Sequence, residues 1–242
     1  MITKKKLVSI VIPAYNEEET IALVLKDTIK EIKKLSSKYN FQIILTNNRS
    51  TDRTKEIAKK FPITITDNKI LGTKGANLRN GFSIARGEYI IMLDADYSHI
   101  PEDIPNFLSV LEDGATLVIG SRKMGGSDEY TGIRGFGNEL LTWLFRMFFG
   151  VKLTDVLNGY KAFHRKILEI PLKSPGFEIE IELVKNALLC GGSVVEINSH
   201  ERARAGGEMK SHALREGFRF ASAIIKHGIA YRLSKLKKLF FK

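Results

Sequence analysis

Apolar and polar positions run along this chain in blocks that read alternately as strands and helices. Leu7–Ile12 is a short run rich in β-branched residues, ended by Pro13, and predicts a buried strand. Asn16 stands three residues before Glu19, a capping-box-like spacing. Ile21, Val24, Leu25, Thr28, Ile29, Ile32 and Leu35 then recur at helical period. Phe41–Thr46, Ile63–Thr66, Tyr89–Leu93 and Thr116–Gly120 predict further strands. Between them, helices are expected over 51–60, 76–86 and, opening at Pro101, to Glu112. Strands alternating with helices predict an α/β fold, a mostly parallel sheet covered on both faces.

After Gly120 the pattern changes. Residues 120–137 contain six glycines in eighteen positions and read as a mobile loop or lid. Residues 138–149 predict a helix apolar on nearly all sides. A strand near Tyr160–His164, a helix near Glu178–Leu189 and a strand at Ser193–Ile197 follow. The tail from 212 reads as helical, with Leu214, Phe218, Ala221, Ile225, Ile229, Leu233, Leu236 and Phe240 at spacings of three or four and Lys/Arg between them. That is the pattern of an interfacial helix, which Gly217 and Gly228 are expected to weaken and divide. The expected organisation is one α/β body over 1–211 and a basic amphipathic tail over 212–242.

Charge sharpens this picture. The 242 residues carry +11, but 1–6 hold +3 and 212–242 hold +7, leaving a nearly neutral body. A basic groove for nucleic acid would spread its charge across the fold, so nucleic acid ranks low and an anionic membrane surface ranks first. One cysteine excludes a disulfide framework and suits a reducing compartment; Cys190 reads as a small buried residue. The five histidines lack ligand spacing, and neither a P-loop nor a G-x-G-x-x-G fingerprint occurs. No stretch reaches the ~20 apolar residues that a membrane span needs.

In a parallel sheet, ligands collect at the carboxyl ends of the strands. Three polar clusters fall there: Pro13-Ala14-Tyr15-Asn16-Glu17, Asn47-Asn48-Arg49-Ser50 and Asp94-Ala95-Asp96. Two carboxylates one residue apart beyond an apolar strand suit a hard cation, Mg²⁺ or Mn²⁺, that could hold a diphosphate.

Together the clusters carry a resemblance. Ile10–Glu17, Asn48-Arg49-Ser50-Thr51-Asp52-Arg53-Thr54, Lys74-Gly75-Ala76-Asn77-Leu78 with Gly81, Leu93–Asp96, Gly120-Ser121-Arg122, Asp155–Phe163 and Gly176–Glu180 follow one another in order. The set resembles family 2 glycosyltransferases of the GT-A fold, in the branch of dolichol-phosphate mannose and glucose synthases. The resemblance implies an inverting, metal-dependent hexosyltransferase at the cytoplasmic face of a membrane, peripherally attached. It places Pro13, Ala14, Tyr15, Glu17, Asn47, Asn48, Ser50, Lys74, Asp94, Ala95 and Asp96 on a nucleotide-diphosphate sugar, with Asp94 and Asp96 on the metal. It places Arg122, Arg134, Asn138, Arg202 and Lys210 on the phosphate of a polyprenyl lipid, with Asp94, Asp96, Arg122 and Arg134 carrying catalysis. Arg204 falls in the same loop motif, 200–210.

Departures from the family pattern shape the expectation. Asn47-Asn48 replaces an acidic pair, and Ser98 stands where mannose synthases often carry Gln. Members with a related Asn-Arg-Ser-Thr-Asp segment lean toward UDP-linked glucose or N-acetylglucosamine over GDP-mannose. The Q-x-x-R-W motif of processive synthases is absent. Two other readings stay open: transfer to a glycan or protein hydroxyl, for which Asp155, Glu178 or Glu180 would be the base, and a non-catalytic nucleotide-sugar binder.

Overall fold

The computed structural model describes residues 5–69, 71–129, 132–206 and 213–240, with the side chains of 133–134, 213–215 and 238–240 outside the description. Seven strands form one sheet: β1 (Lys6–Ala14), β2 (Tyr39–Asn47), β3 (Thr64–Asp67), β4 (Tyr89–Met92), β5 (Leu117–Ser121), β6 (Lys161–His164) and β7 (Val194–Asn198). Their order is β3-β2-β1-β4-β6-β5-β7. Every pairing is parallel except those of β6, which runs antiparallel to both β4 and β5. The chain leaves β5 at its carboxyl end and returns at that same edge, where Gly120 N–H donates to Tyr160 O and Asn158 donates to Gly120 O. A strand that begins at that edge must run back against its neighbours.

Eight helices cover the sheet among the described residues: α1 (Ile21–Lys34), α2 (Thr54–Ala58), α3 (Lys74–Ile84), α4 (Ile104–Glu112), α5 (Arg122–Gly125), α6 (Gly132–Phe149), α7 (Ile179–Leu189) and α8 (Ala213–Phe240). The two-residue period of β1 splits its side chains between two cores. Val8, Ile10, Ile12 and Ala14 pack with residues of α1 and α4, and Val11 packs with residues of α3, α6, α7 and α8. Burying both faces explains why the strands read as nearly continuous apolar runs.

Four local expectations are corrected. Asn16 does not cap α1; Thr20 stands at that position, the Glu17 carbonyl receives the Thr20 and Ile21 N–H groups, and the Asn16 side chain accepts from Thr51 N–H. The glycine-rich stretch is not one loop, because α5 occupies 122–125 and α6 begins at Gly132, six residues before the expected start. The tail is one helix rather than two: at Gly228 an added Cβ would lie 2.5 Å from Phe148 Cβ, so the glycine lets α8 close onto α6. Cys190 is exposed, since it follows α7 at its surface end.

Helix α8 carries apolar residues on opposite faces. Ala223 and Ile224 are buried in the second core, with Phe220 and Tyr231 packed against it. Phe218, Ile225, Ile229, Leu233 and Leu236 face outward and are exposed. Phe136, Leu140, Trp143 and Met147 form a second exposed stripe on α6. Arg232 of α8 donates to the Phe148 and Met147 carbonyls at the end of α6, groups that no further turn of that helix can satisfy.

Candidate active site

Strand register assembles the site. Ala14 pairs with Asn47, and Val11 with Met92, so the segments after β1, β2 and β4 emerge side by side. Each contains a non-glycine residue with positive φ: Asn16 at 54°, Arg49 at 59° and Tyr97 at 67°. Such backbone is costly for a side chain-bearing residue and collects at functional sites.

The β1 and β2 loops are tied together. Asn48 N–H donates to Ala14 O at 2.9 Å, Asn16 N–H to Ser50 Oγ at 3.1 Å and Glu17 N–H to Thr54 Oγ1 at 2.7 Å. Asn47 and Asn48 are buried, and their amides serve neighbouring loops. Asn47 donates to Asp67 Oδ1 at 2.7 Å and accepts from Ser50 N–H. Asn48 donates to Gly72 O at 2.7 Å and accepts from Asn68 and from Gly72 N–H. An acidic pair could make neither donation, so the amides at these positions stitch β2 to the segment that leads into α3.

The two candidate metal carboxylates follow β4. Asp94 meets Lys74 Nζ at 2.9 Å, and Lys74 also reaches Glu180 at 3.0 Å and lies over the Phe177 ring. Burial raises the Asp94 carboxyl, but Lys74 and then His99 outweigh it and hold it at about 2. Burial opposes the Lys74 charge as well, yet Asp94 and Glu180 lift its pKa above the usual lysine value. Asp96 accepts from Ser98 N–H at 3.1 Å and Ser98 Oγ at 2.6 Å through one oxygen, while Arg204 reaches the other at 3.1 Å. Ser98 therefore braces Asp96, in the position where the resemblance expects a metal-holding Gln.

His99, which its spacing did not mark, is built into this site. Its Nδ1 accepts the Asp94 N–H at 3.0 Å, and its Nε2 lies 3.2 Å from Asn158 Oδ1. Asn158 orients that oxygen by donating its own amide to Gly120 O. The ring is stacked on Tyr160 at 4.8 Å. A histidine five residues after an aspartate has no signal in sequence; the return of 158–160 across the sheet gives it one.

Arg122 and Asn138 stand across the site and meet at Asp155. Arg122 Nε and Nη2 fork onto the Asp155 carboxylate at 2.7 and 2.9 Å, and Asn138 donates to it at 3.0 Å. Asp155 is fully buried; burial raises its pKa, but hydrogen bonds and charge from Arg122 hold it below the usual value. Glu180 is engaged by Lys74 and lies 4.0 Å from Lys161, and Glu178 is paired with Arg219 at 2.8 Å. All three candidate base carboxylates are thus committed to cations.

A cavity of about 540 Å³ joins these groups. Its polar lining includes Lys74, Asp94, Asp96, Arg122, Asn138 and Arg204, with Glu129, Glu201 and Glu216 also on the wall. Its apolar lining includes Phe136, Leu140, Leu141, Leu157, Phe218 and Phe220, five of them from α6 and α8. Arg202 is not on this wall. It lies over the Tyr97 ring and reaches toward Asp27 and Glu102, at 3.9 and 3.6 Å. The neighbouring Arg204 is the arginine of this segment that reaches the acid pair. The Arg134 side chain and Lys210 lie outside the described residues.

The sheet order, the acid pair at the carboxyl edge and the cavity above it define a glycosyltransferase-type α/β fold. Residues 9–170 match glycosyl transferase family 2, and the chain belongs to that family. It is 29% identical over 214 residues to a dolichol-phosphate mannosyltransferase of Pyrococcus furiosus, covering 84% of this chain and 58% of that one. It is 30% identical over 212 residues to an undecaprenyl-phosphate 4-deoxy-4-formamido-L-arabinose transferase of Photorhabdus laumondii, covering 85% and 63%. The chain therefore spans about 60% of the length of the curated relatives it matches. Among solved structures, glucosyl-3-phosphoglycerate synthase of Mycobacterium tuberculosis, in complex with Mn²⁺, UDP and phosphoglyceric acid, superposes with a TM-score of 0.70 at 22% identity. The match covers 93% of this chain and 78% of that one. That likeness confirms the GT-A fold.

Proposed function

We propose that this protein transfers a hexose, with inversion, from a nucleotide-diphosphate sugar to the phosphate of a polyprenyl lipid at the cytoplasmic surface of a membrane. The observation that carries the reading is the lining of the cavity. It brings carboxylates and cations together with apolar side chains, and Phe136, Leu140 and Phe218 among these belong to the exposed stripes of α6 and α8. A phosphate with a long apolar chain matches both kinds of lining. Two curated relatives named as polyprenyl-phosphate sugar transferases support it.

Asp94 and Asp96 fit a divalent ion such as Mg²⁺ or Mn²⁺, because two carboxylates side by side on a cavity with room for phosphate oxygens are the usual protein share of such a site. Bound there, the ion would supply charge to stabilise the departing diphosphate. Lys74 and Arg204, already beside the two carboxylates, would bring further positive charge to the donor. Ala14, Tyr15, Glu17 and Ser50 would flank the nucleotide, with Asn47 and Asn48 fixing the loops around it. Arg122 and Asn138 would orient the acceptor phosphate toward the anomeric carbon. A phosphate with a second pKa of about 6 is an anionic nucleophile at neutral pH and needs no general base. The commitment of Asp155, Glu178 and Glu180 to cations suits that chemistry better than a hydroxyl acceptor.

The exposed apolar stripes flanked by basic residues of α8 suit an anionic bilayer surface. Among the described residues no helix is long and apolar enough to cross a membrane.

The test is a transfer assay with UDP- and GDP-linked sugars against dolichyl and undecaprenyl phosphate, with Mg²⁺, Mn²⁺ or chelator. The expected result is a metal-dependent lipid-phosphate-linked hexose, abolished in Asp96→Ala. No lipid-linked product from any donor, or full activity of Asp96→Ala, overturns the reading.

A further inference from the structure

Arg122 is met by two carboxylates of different character. Asp155 lies behind it, fully buried, and receives Nε, Nη2 and the Arg122 backbone N–H at 2.7, 2.9 and 3.1 Å. The same carboxylate receives the Asn138 amide. Its own backbone is pinned from β7, where Glu196 accepts the N–H groups of Thr154 and Asp155 and the Thr154 hydroxyl. Glu201 comes from the opposite side, on the cavity wall, and meets Nη1 at 3.2 Å. It belongs to the segment after β7, which is zipped onto 126–128 through a backbone bridge with Ser127.

We propose that Asp155 is the positioning residue of the acceptor-phosphate subsite, and that Glu201 is the contact that the phosphate replaces on Arg122. The inference rests on the acceptor reading above. The two carboxylates use different edges of the guanidinium. Asp155 holds the Nε/Nη2 edge, so the planar fork cannot rotate and the Nη1 edge is directed into the cavity. By taking Asn138 as well, it sets the two phosphate-facing groups at a fixed separation.

One guanidinium flanked by two carboxylates leaves no net positive charge for an incoming anion. One carboxylate must yield. Asp155 cannot, since withdrawing Arg122 would strand a buried charge. Glu201 can, because its other oxygen accepts the Ser127 hydroxyl and keeps that partner when Nη1 is taken, and its side chain retains some exposure where Asp155 has none.

Asp155→Asn and Glu201→Gln give the test. Each removes one negative charge beside the same guanidinium, so simple electrostatics predicts tighter phosphate binding in both. Positioning predicts opposite signs. With a short-chain prenyl phosphate in micelles, Asp155→Asn is expected to raise the acceptor KM about tenfold, with the donor KM unchanged. Glu201→Gln is expected to lower the acceptor KM several-fold. In an Arg122→Ala background Glu201→Gln should no longer matter, because it acts through that side chain, and Asp155→Asn should keep only the smaller loss it exerts through Asn138. Calorimetric binding of the same prenyl phosphate separates the two levels of failure. Absence of binding by the wild-type protein overturns the acceptor reading. Wild-type binding with both variants shifted the same way, or with either unshifted, overturns the roles given to Asp155 and Glu201. If Asp155→Asn does not melt cooperatively, Glu196→Gln, which loosens the backbone that carries Asp155 without touching the phosphate, takes its place with a smaller expected loss of the same sign, and Glu201→Gln must still show its gain.

Discussion

Asp94 and Asp96 stood out as candidate metal ligands from residue type and spacing, because both lie just beyond one strand end. His99 was not, because its partners are a backbone N–H of its own loop and an amide that returns from residue 158. His99→Phe keeps the stack on Tyr160 but leaves the Asp94 N–H without its acceptor. Losing a brace of this kind typically costs 10-fold or more in metal affinity, about the effect expected for Mn²⁺ titrated into the variant with UDP present. Unchanged affinity would mean that Asp94 is held by Lys74 alone. Asp155 makes a second residue-scale prediction. Its folded pKa lies below the ordinary aspartate value, because the Arg122 contacts outweigh burial. The unfolded state therefore binds the proton more readily, and the stabilisation, complete above that value, is lost as pH falls through the folded pKa. Asp155→Asn should be less stable at neutral pH, with a shallower loss of melting temperature below pH ~4. An unaltered acid limb would contradict the ion pair.

Elements were legible where a segment's own period decided them, and less so where a neighbour did. The alternation of apolar runs predicts β1, β2, β4 and β5, since each is buried on both faces. It carries no sign of direction, and β6 is antiparallel because of where the chain re-enters the sheet. The glycines of α8 make the same point about helices. Glycine in a helix costs ~1 kcal/mol against alanine, so local propensity predicts that Gly228→Ala stabilises. The packing predicts the reverse, because the added Cβ would fall 2.5 Å from Phe148 Cβ and push α8 off α6. Overpacking of this kind costs about 1–3 kcal/mol, or several degrees in melting temperature for a chain of this size. A thermal melt of Gly228→Ala decides by its sign.

At the scale of the chain, residues 7–211 are nearly neutral and the charge excess lies in 1–6 and 212–242. Helix α8 forms most of the latter segment. Its inner face completes the second core, and its outer stripe, with that of α6, leaves Trp143, Ile229 and Leu236 exposed. If the proposed membrane contact is right, these stripes and the basic residues between them are its surface. Sedimentation with vesicles containing phosphatidylglycerol should show binding that weakens with salt. Trp143→Ser combined with Leu236→Ser should reduce it at least tenfold, since each side chain buries apolar area worth roughly 1.5–3 kcal/mol. Transfer to a short-chain acceptor should persist, because neither residue lines the cavity. Vesicle binding equal to wild type would place the membrane contact elsewhere.

The sequence by itself determined the strand-and-helix alternation, the family and the acid pair, because each depends on neighbours within one segment. Tertiary structure decided what those segments do to one another. It turned Asn47 and Asn48 into loop braces, brought Arg204 rather than Arg202 to the acid pair, and committed three candidate bases to cations. Each outcome depends on charges and hydrogen-bonding groups from separate segments meeting within about 3 Å. That meeting is set by register and packing, which local sequence does not encode.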